Sequence, residues 1–407
     1  MAKEKMQKEE IGKDIDVSVE FCGHKLQSPF ILTSGPLCSD SEGMIRGHKA
    51  GAGAVVTKTI RLGRAINPVE HIGTIGRDSL INAEKWADTD RQLWYEKEIP
   101  ETRAAGAIVI SSVGHTLTEA KAIVEDVERA GAHMIELVSY TEDTLLPMLD
   151  FTKEHVSIPV ICKLSGNWPD TVGTAKKCLE HGADAICAID SIGPTLKIDI
   201  HNARPAMRSE DGYGWLTGAA IRPIVMKIIS EIARNHPGLD NLYASGGVMK
   251  AEDAVEFMMA GARAVGVCSL GIIKGVEVVS KLIKDLRKLL VELGYNSLDE
   301  VWRAALPNFP VQEHISRLDF TFKAFKDDGV KKECINCMKC VDACSYDARQ
   351  LEFPVMSLDR ELCRDCGLCV DVCPTDALTA VLAPQTDEDL LRAKESAEFD
   401  AYISKVE

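Results

Sequence analysis

At 407 residues and 45% hydrophobic content, the chain is too long for one ordinary core and has the balance of a soluble globular protein. Its net charge of −15 repels nucleic-acid phosphate and excludes that class of partner; the acidic excess reads as solubility rather than as a docking face. No apolar run approaches the ~20 residues a membrane span needs. The polar opening 1–13 has no signal-peptide core, so a cytoplasmic protein with no membrane role is expected.

In chain order, short β-branched and apolar runs recur at 30–34, 54–58, 107–111, 133–138, 159–163, 185–189, 242–245 and 264–268, and they read as strands. Helical periodicity lies between most of them, at 117–130, 170–181, 221–235 and 251–260. Gly131-Ala132, Gly182-Ala183 and Gly261-Ala262 follow three of these helices, where a C-cap glycine releases the chain into the next strand. Eight strands alternating with helices fit a (β/α)8 barrel, a TIM barrel, better than an open doubly wound sheet. The segment 17–27 reads as a hairpin plugging the barrel bottom. The expected domains are a barrel over 14–296, a linker with helical stretches over 297–330, a cysteine-rich α+β domain over 331–382 and an acidic, helical tail over 383–407.

Eight of the fourteen cysteines form two copies of one spacing. Cys334-x2-Cys337-x2-Cys340-x3-Cys344 is followed by Cys363-x2-Cys366-x2-Cys369-x3-Cys373-Pro374. This is the thiolate pattern of a bacterial ferredoxin-like domain with two [4Fe-4S] clusters. Three thiolates of each run can wrap one cluster while the fourth reaches the other. Cys334, Cys337, Cys340 and Cys373 should therefore hold one cluster, and Cys363, Cys366, Cys369 and Cys344 the second. Zinc ribbons want two Cys pairs per metal, and disulfides do not persist in a reducing compartment. Ser345 stands where the first copy lacks the usual proline, which removes a turn residue and no ligand. The other six cysteines lie mostly in apolar segments and read as free thiols. A chain with this domain moves single electrons.

Chemistry in such barrels gathers at the C-terminal strand ends, with phosphate beyond strands seven and eight. Ser245-Gly246-Gly247 and Gly266-Val267-Cys268-Ser269 stand there, small residues whose backbone N–H groups can cradle a phosphate. One Gly-Gly pair alone would be only a tight turn; small residues at both positions point to an anion. Lys58 and Lys163 close strands two and five. A lone lysine there usually snorkels to solvent, but two facing one mouth suggest a positive field over an electron-rich ring such as a reduced flavin. His115 after strand three, and Ser139 and Tyr140 after strand four, are candidate proton donors. No Gly-x-Gly-x-x-Gly follows a strand, so the chain has no dinucleotide-binding unit of its own.

With these motifs in place, the segment 17–293 resembles the flavin barrel of the dihydroorotate and dihydropyrimidine dehydrogenases. The resemblance is carried by Thr33-Ser34-Gly35, Val56-Thr57-Lys58, Asn67-Pro68, 79–82, Cys162-Lys163-Leu164, Asp190-Ser191-Ile192-Gly193, 211–214, 217–223, Ser245-Gly246-Gly247 and Val267-Cys268-Ser269. The trailing cysteine runs extend it to the iron–sulfur flavin subunit of bacterial dihydropyrimidine dehydrogenase. The resemblance implies FMN in the barrel mouth, its phosphate on Gly246, Gly247, Cys268 and Ser269. It also implies Ser34, Gly35, Lys58, Asn82, Lys163, Ser191 and Gly218 around the rest of the cofactor. It implies, finally, a small-molecule substrate and a separate FAD- and NAD(P)-binding reductase subunit, with a free ferredoxin as the alternative donor. An oligomer is expected.

The departures fall on the substrate side. Val138 stands where the family has an Asn that grips the pyrimidine, and Thr141 where it has the acid/base Cys. Asp190 replaces a substrate-binding Asn, Glu84-Lys85-Trp86 replaces an apolar loop, and the loop after strand four is short. A threonine hydroxyl is a poor proton donor. Thr141, His115 and Tyr140 are therefore the catalytic candidates. The main expectation is an FMN and iron–sulfur oxidoreductase acting on a C=C or CH–CH bond of a small cyclic amide or related substrate. A dihydroorotate dehydrogenase and an electron-transfer subunit without substrate turnover are the alternatives.

Overall fold

The structure, a computed structural model, describes residues 15–310, 316–322, 334–352, 355–391 and 394–395. The chain divides into two compact units, the first ending at Phe309 and the second starting at Pro310.

The first unit is a closed parallel barrel of β1 (Phe30–Leu32), β2 (Ala54–Val56), β3 (Val109–Gly114), β4 (Met134–Val138), β5 (Val160–Leu164), β6 (Ala185–Ala188), β7 (Leu242–Ser245) and β8 (Ala264–Val267). Each strand pairs with its sequence neighbours, and Val265 opposite Phe30 closes the ring. All eight are buried along their length. This explains why they read as unbroken apolar runs rather than as alternation. The outer ring is α1 (Ser41–Lys49), α2 (Ile99–Ala104), α3 (Leu117–Ala130), α4 (Glu142–His155), α5 (Thr171–Glu180), α6 (Arg222–Asn235), α7 (Ala251–Met259) and α8 (Val278–Leu293).

α3 shows why the sequence folds this way. Thr116 caps it by accepting the Glu119 N–H, and Ala120, Ile123, Val124 and Val127 form one buried stripe at helical spacing. Each of the larger three contributes roughly 1.5–3 kcal/mol on burial. Gly131 ends the helix at φ 105°, and a Cβ there would meet the Arg103 side chain at 2.9 Å.

Below the barrel, Val19–Phe21 pairs antiparallel with His24–Leu26. Phe21 is fully buried edge-on to Tyr243 of β7, and the Cys22 N–H donates to Asn241 Oδ1 at 2.9 Å. This is the expected hairpin plug. Above the barrel lies a four-stranded antiparallel sheet that no periodicity announced, ordered Ile192–Thr195, Gly214–Gly218, Ser79–Asn82, Ile72–Ile75. Its strands are insertions after β2 and β6.

The stretch 297–330, read as a linker, is structured at both described ends. Leu298–Val301 is helical with both terminal side chains buried, and Trp302 Nε1 donates to Gly261 O at 3.0 Å, so this part belongs to the barrel unit. Leu318–Phe322 is a strand of the second unit, paired in register with Leu378–Leu382. That unit also holds the hairpin Arg349–Glu352 and Val355–Leu358 and two single helical turns, Lys339–Asp342 and Leu368–Asp371. Of the tail expected over 383–407, residues 387–391 are helical and most of the rest lies outside the described residues.

Candidate flavin and iron–sulfur sites

A cavity of about 650 Å³ opens at the C-terminal end of the barrel, within the range of small-molecule and cofactor pockets. Ser34 and Gly35 reach it from the end of β1, Lys58 from β2, Lys163 from β5 and Ser191 from the loop after β6. Gly246 and Gly247 follow β7, Cys268 and Ser269 follow β8, and the overlying sheet supplies Asn82 and Gly218. All the residues proposed for the cofactor thus line one cavity.

The edge beyond β7 and β8 is made of backbone. Gly246 and Gly247 sit at φ 124° and 98°, which only glycine adopts without strain. A Cβ on Gly247 would lie 2.4 Å from the Arg222 Cβ at the start of α6. Arg222 is itself fixed by an ion pair with Asp253, whose carboxylate also accepts the Met249 N–H at 2.8 Å and the Lys250 N–H at 3.0 Å. Ser269 Oγ hydrogen-bonds Thr217 Oγ1 at 2.9 Å, which ties the β8 loop to the overlying sheet. Gly218 is pinned at φ 88°, because a Cβ there would meet Asp78 O at 2.5 Å. A rigid turn of small residues beside a hydroxyl and two buried lysines suits a phosphorylated flavin, so FMN fits this set.

Lys58 and Lys163 are 6% and 8% exposed and point into the cavity rather than to solvent. They do not give the open positive field expected of them. Lys58 forms an ion pair with Glu84, and Lys163 Nζ lies 3.3 Å from Asp190 Oδ1. Burial alone would lower the Lys163 pKa, but Asp190 and Glu136 outweigh it and hold the ammonium charged. Glu136 inside β4 is 1% exposed, Oε1 has no partner, and burial raises its pKa.

His115 is 9% exposed at the cavity wall, edge-on to Tyr140 with ring centroids 4.1 Å apart. Its Nδ1 has no hydrogen-bond partner in the protein. Burial, and then the nearby Arg61 charge, lower its pKa to about 4. It is therefore neutral at neutral pH, a proton acceptor rather than the near-neutral acid expected from its ordinary pKa. Tyr140 stands at the rim, 61% exposed. Ser139 is buried and its hydroxyl donates to His115 O at 3.1 Å.

Thr141 is not brought into the cavity. It is the exposed residue preceding α4, and its hydroxyl lies 2.9 Å from that of Thr144. With so short a loop after β4, the chain enters the helix before Thr141 can turn inward. That candidate is corrected to a helix-terminal position.

In the second unit, Cys334, Cys337, Cys340 and Cys373 surround one small hollow floored by Phe322, Leu351, Met356 and Leu378. This is the crossed set read from the spacing. Cys344 interacts electrostatically with Cys369 alongside Cys366. The two runs repeat at the level of backbone: Asn336, Met338 and Asp347 take left-handed conformations, as do Asp365, Gly367 and Asp376 at the matching positions. The amide N–H of Asn336 faces Cys334 Sγ and that of Asp365 faces Cys363 Sγ, each at 3.4 Å. Among the described residues, no three His, Cys, Asp or Glu side chains close around a point as they would for a single ion. Loops that present thiolates around a wider body, with amides aimed at sulfur, fit cubane clusters.

Comparison with known proteins decides the family. Residues 16–290 match the family described as dihydroorotate dehydrogenase, and residues 333–377 match a 4Fe-4S dicluster domain. The chain belongs to the dihydroorotate dehydrogenase family. It is thus a flavin oxidoreductase of CH–CH bonds that binds FMN and carries two iron–sulfur clusters. It is 30% identical over 306 residues to the dihydroorotate dehydrogenase B (NAD(+)) catalytic subunit of Methanothermobacter thermautotrophicus, 70% of this chain and 97% of that one. Against the corresponding subunit of Pyrococcus furiosus it is 28% identical over 304 residues, 70% of this chain and 98% of that one. With the NAD-dependent dihydropyrimidine dehydrogenase subunit PreA of Escherichia coli it shares 26% over 362 residues, 82% of this chain and 86% of that one. No helix among the described residues is long and apolar enough to cross a membrane.

Within this dihydroorotate dehydrogenase family barrel, several wall residues went unread in the sequence. Thr59, Ser165, Asn167 and Trp215 line the cavity. Asn167 Nδ2 donates to Ser191 O at 3.3 Å and its Oδ1 accepts the Gly193 N–H at 3.0 Å, which braces the loop after β6. Thr59, Ser165 and Asn167 are single polar residues in loops and Trp215 a single aromatic in the overlying sheet, and no spacing sets them apart.

Proposed function

We propose that this chain is the FMN and iron–sulfur subunit of a dihydropyrimidine dehydrogenase-like enzyme. It would add hydrogen to, or remove it from, the CH–CH bond of a small cyclic amide. Electrons would pass through its two clusters to or from a separate FAD- and NAD(P)-binding subunit, with a ferredoxin as the other candidate partner. The observation that carries this reading is the pairing of a flavin-shaped barrel mouth with a complete two-cluster thiolate set in one chain. The length of the PreA match supports it, because that match extends beyond the share covered by the dihydroorotate dehydrogenase B subunits.

FMN held on Gly246, Gly247, Cys268 and Ser269 would supply hydride chemistry and its conversion to single electrons. Ser34, Gly35, Lys58, Asn82, Lys163, Ser191 and Gly218 would hold the rest of the cofactor. His115 is the group best placed to accept the substrate proton, being buried at the cavity wall with Nδ1 free of protein partners. Tyr140 covers one edge of that ring. Cys334, Cys337, Cys340 and Cys373 would hold one cluster, and Cys344, Cys363, Cys366 and Cys369 the other.

The test is electron input into the anaerobically purified chain. Dithionite or a low-potential ferredoxin should bleach the flavin, and NADH or NADPH should hardly do so until a reductase subunit recovered with the native chain is added. Rapid bleaching of the single chain by NADPH, or protein that carries no FMN, would overturn the reading.

A further inference from the structure

We propose that the cavity selects an uncharged ring offering N–H donors and rejects one bearing a carboxylate, and that Glu84 sets this choice. The inference rests on the reading of the cavity as the substrate site of a cyclic-amide dehydrogenase. The charged side chains lining it balance: Lys58, Lys85 and Lys163 stand against Glu84, Asp190 and Asp211. Both buried cations are already matched, Lys58 by Glu84 and Lys163 by Asp190. Lys85 is exposed, where water screens it. The nearby Arg61 is held by Glu119 at 2.7 Å and lies over the Trp86 ring at 4.2 Å.

Glu84 is not a mobile surface side chain that happens to reach a lysine. Its segment is fastened at successive residues. The Ala83 N–H donates to His71 O at 2.7 Å, the Lys85 N–H to Asn67 Oδ1 at 2.8 Å and the Ala87 N–H to Thr59 O at 3.0 Å. The Glu84 N–H donates to Asn82 Oδ1 at 3.3 Å, and Asn82 Nδ2 donates to Trp215 O at 3.1 Å. The carboxylate is thereby held inside the rim, its side chain only 13% exposed.

An entering carboxylate would have to take Lys58 from Glu84 or Lys163 from Asp190. That exchange gains no ion pair and leaves a partly desolvated carboxylate behind without its counter-charge. A neutral lactam or imide leaves both pairs intact and can donate its N–H to either carboxylate. Val138, also at the wall, has no polar group to offer such a ring, so the carboxylates are the natural acceptors.

The test uses the holoprotein and two ligands that share one ring and differ at one substituent, orotate with its carboxylate and the uncharged methyl ester, titrated by the change in flavin absorbance. The wild type should bind the ester at least about tenfold more tightly, and Glu84→Gln should cut that preference to less than about threefold by improving orotate. Glu84→Asp, which keeps the charge, should retain the preference and so separates charge from folding damage. Orotate binding seen only in Glu84→Gln would support the inference equally. Wild-type protein that binds orotate as tightly as the ester overturns the inference and leaves the proposed function standing. So does an unchanged preference in Glu84→Gln with full flavin content. If neither ligand perturbs the flavin in any of the three proteins, the cyclic-amide reading itself fails and the inference falls with it.

Discussion

The two sides of the barrel mouth are built differently. Beyond β7 and β8 the wall is backbone, held by glycines whose conformation and crowding admit no other residue. At the ends of β3 and β4 the wall is side chains, Val138 closing β4 and His115, Ser139 and Tyr140 in the short loops that follow. An anion-binding turn depends on where amides point, so its residue types are fixed by geometry. A substrate-binding wall depends on which groups point inward, so it can be rewritten without moving the barrel. The resemblance read in the sequence is carried by the cofactor side, and the departures read there fall on the substrate side.

That contrast can be broken most forcefully with Gly247→Val. The new side chain meets Arg222 on α6 and cannot adopt φ 98° without strain, so the purified protein should lose essentially all its flavin. Val138→Asn across the mouth should leave flavin content unchanged. Flavin extraction after gel filtration measures both. If Gly247→Val retains FMN, the backbone wall is not the phosphate site.

A smaller loss is expected in the second unit. Anaerobically purified protein should carry about eight irons and one FMN per chain. Cys337→Ala should remove about half the iron and leave the flavin in place. Iron analysis beside flavin content decides it, and loss of both cofactors together would show the two units to be coupled in folding. On the substrate side, His115→Ala should slow substrate turnover by about 10²–10⁴-fold at constant flavin content. Thr141→Ala should alter turnover by less than about threefold, since it removes only a weak helix-terminal contact. Equal effects of the two substitutions would return Thr141 to the list of catalytic groups.

How much of this was legible in the sequence follows the same division. The barrel strands announced themselves because burial on both faces forces uninterrupted apolar runs. Gly131, Gly182 and Gly261 marked helix ends because a left-handed cap needs them; each has positive φ. The crossed cysteine sets are read from spacing, and of the two, Cys373 lines one hollow with Cys334, Cys337 and Cys340. The four-stranded sheet over the mouth was missed because its strands come from two insertions far apart in sequence, and Ile72–Ile75 and Ile192–Thr195 are only partly buried. The pairing of Lys58 with Glu84 could not be read from a separation of twenty-six residues with no shared element. Thr141 was misplaced because alignment with a longer loop carries a residue type, not a direction. The segment taken as a linker hid a strand whose partner, Leu378–Leu382, lies beyond both cysteine runs.

The mildest effect is the response of the side-chain wall to acid. His115 has a folded-state pKa of about 4, below the ordinary 6.5, chiefly because burial disfavours the imidazolium. A histidine with a depressed pKa imposes no penalty above pH 6.5, where it is neutral both folded and unfolded. As the pH falls from 6.5 towards 4, the unfolded chain takes up the proton first, so the native state loses stability across that window. At pH 5 the loss from this one residue is about 2 kcal/mol. His133, under the barrel at the start of β4, is lowered to about 4 by burial and the Arg103 charge, and it adds a similar slope. His115→Gln should therefore narrow the difference between unfolding free energies at pH 7 and pH 5 by about 2 kcal/mol, with the His133 share remaining. Denaturant titrations of the intact holoprotein at the two pH values provide the measurement. A pH dependence identical to wild type would mean that His115 titrates near its ordinary value, and it would then serve as a proton donor at neutral pH rather than as the acceptor proposed here.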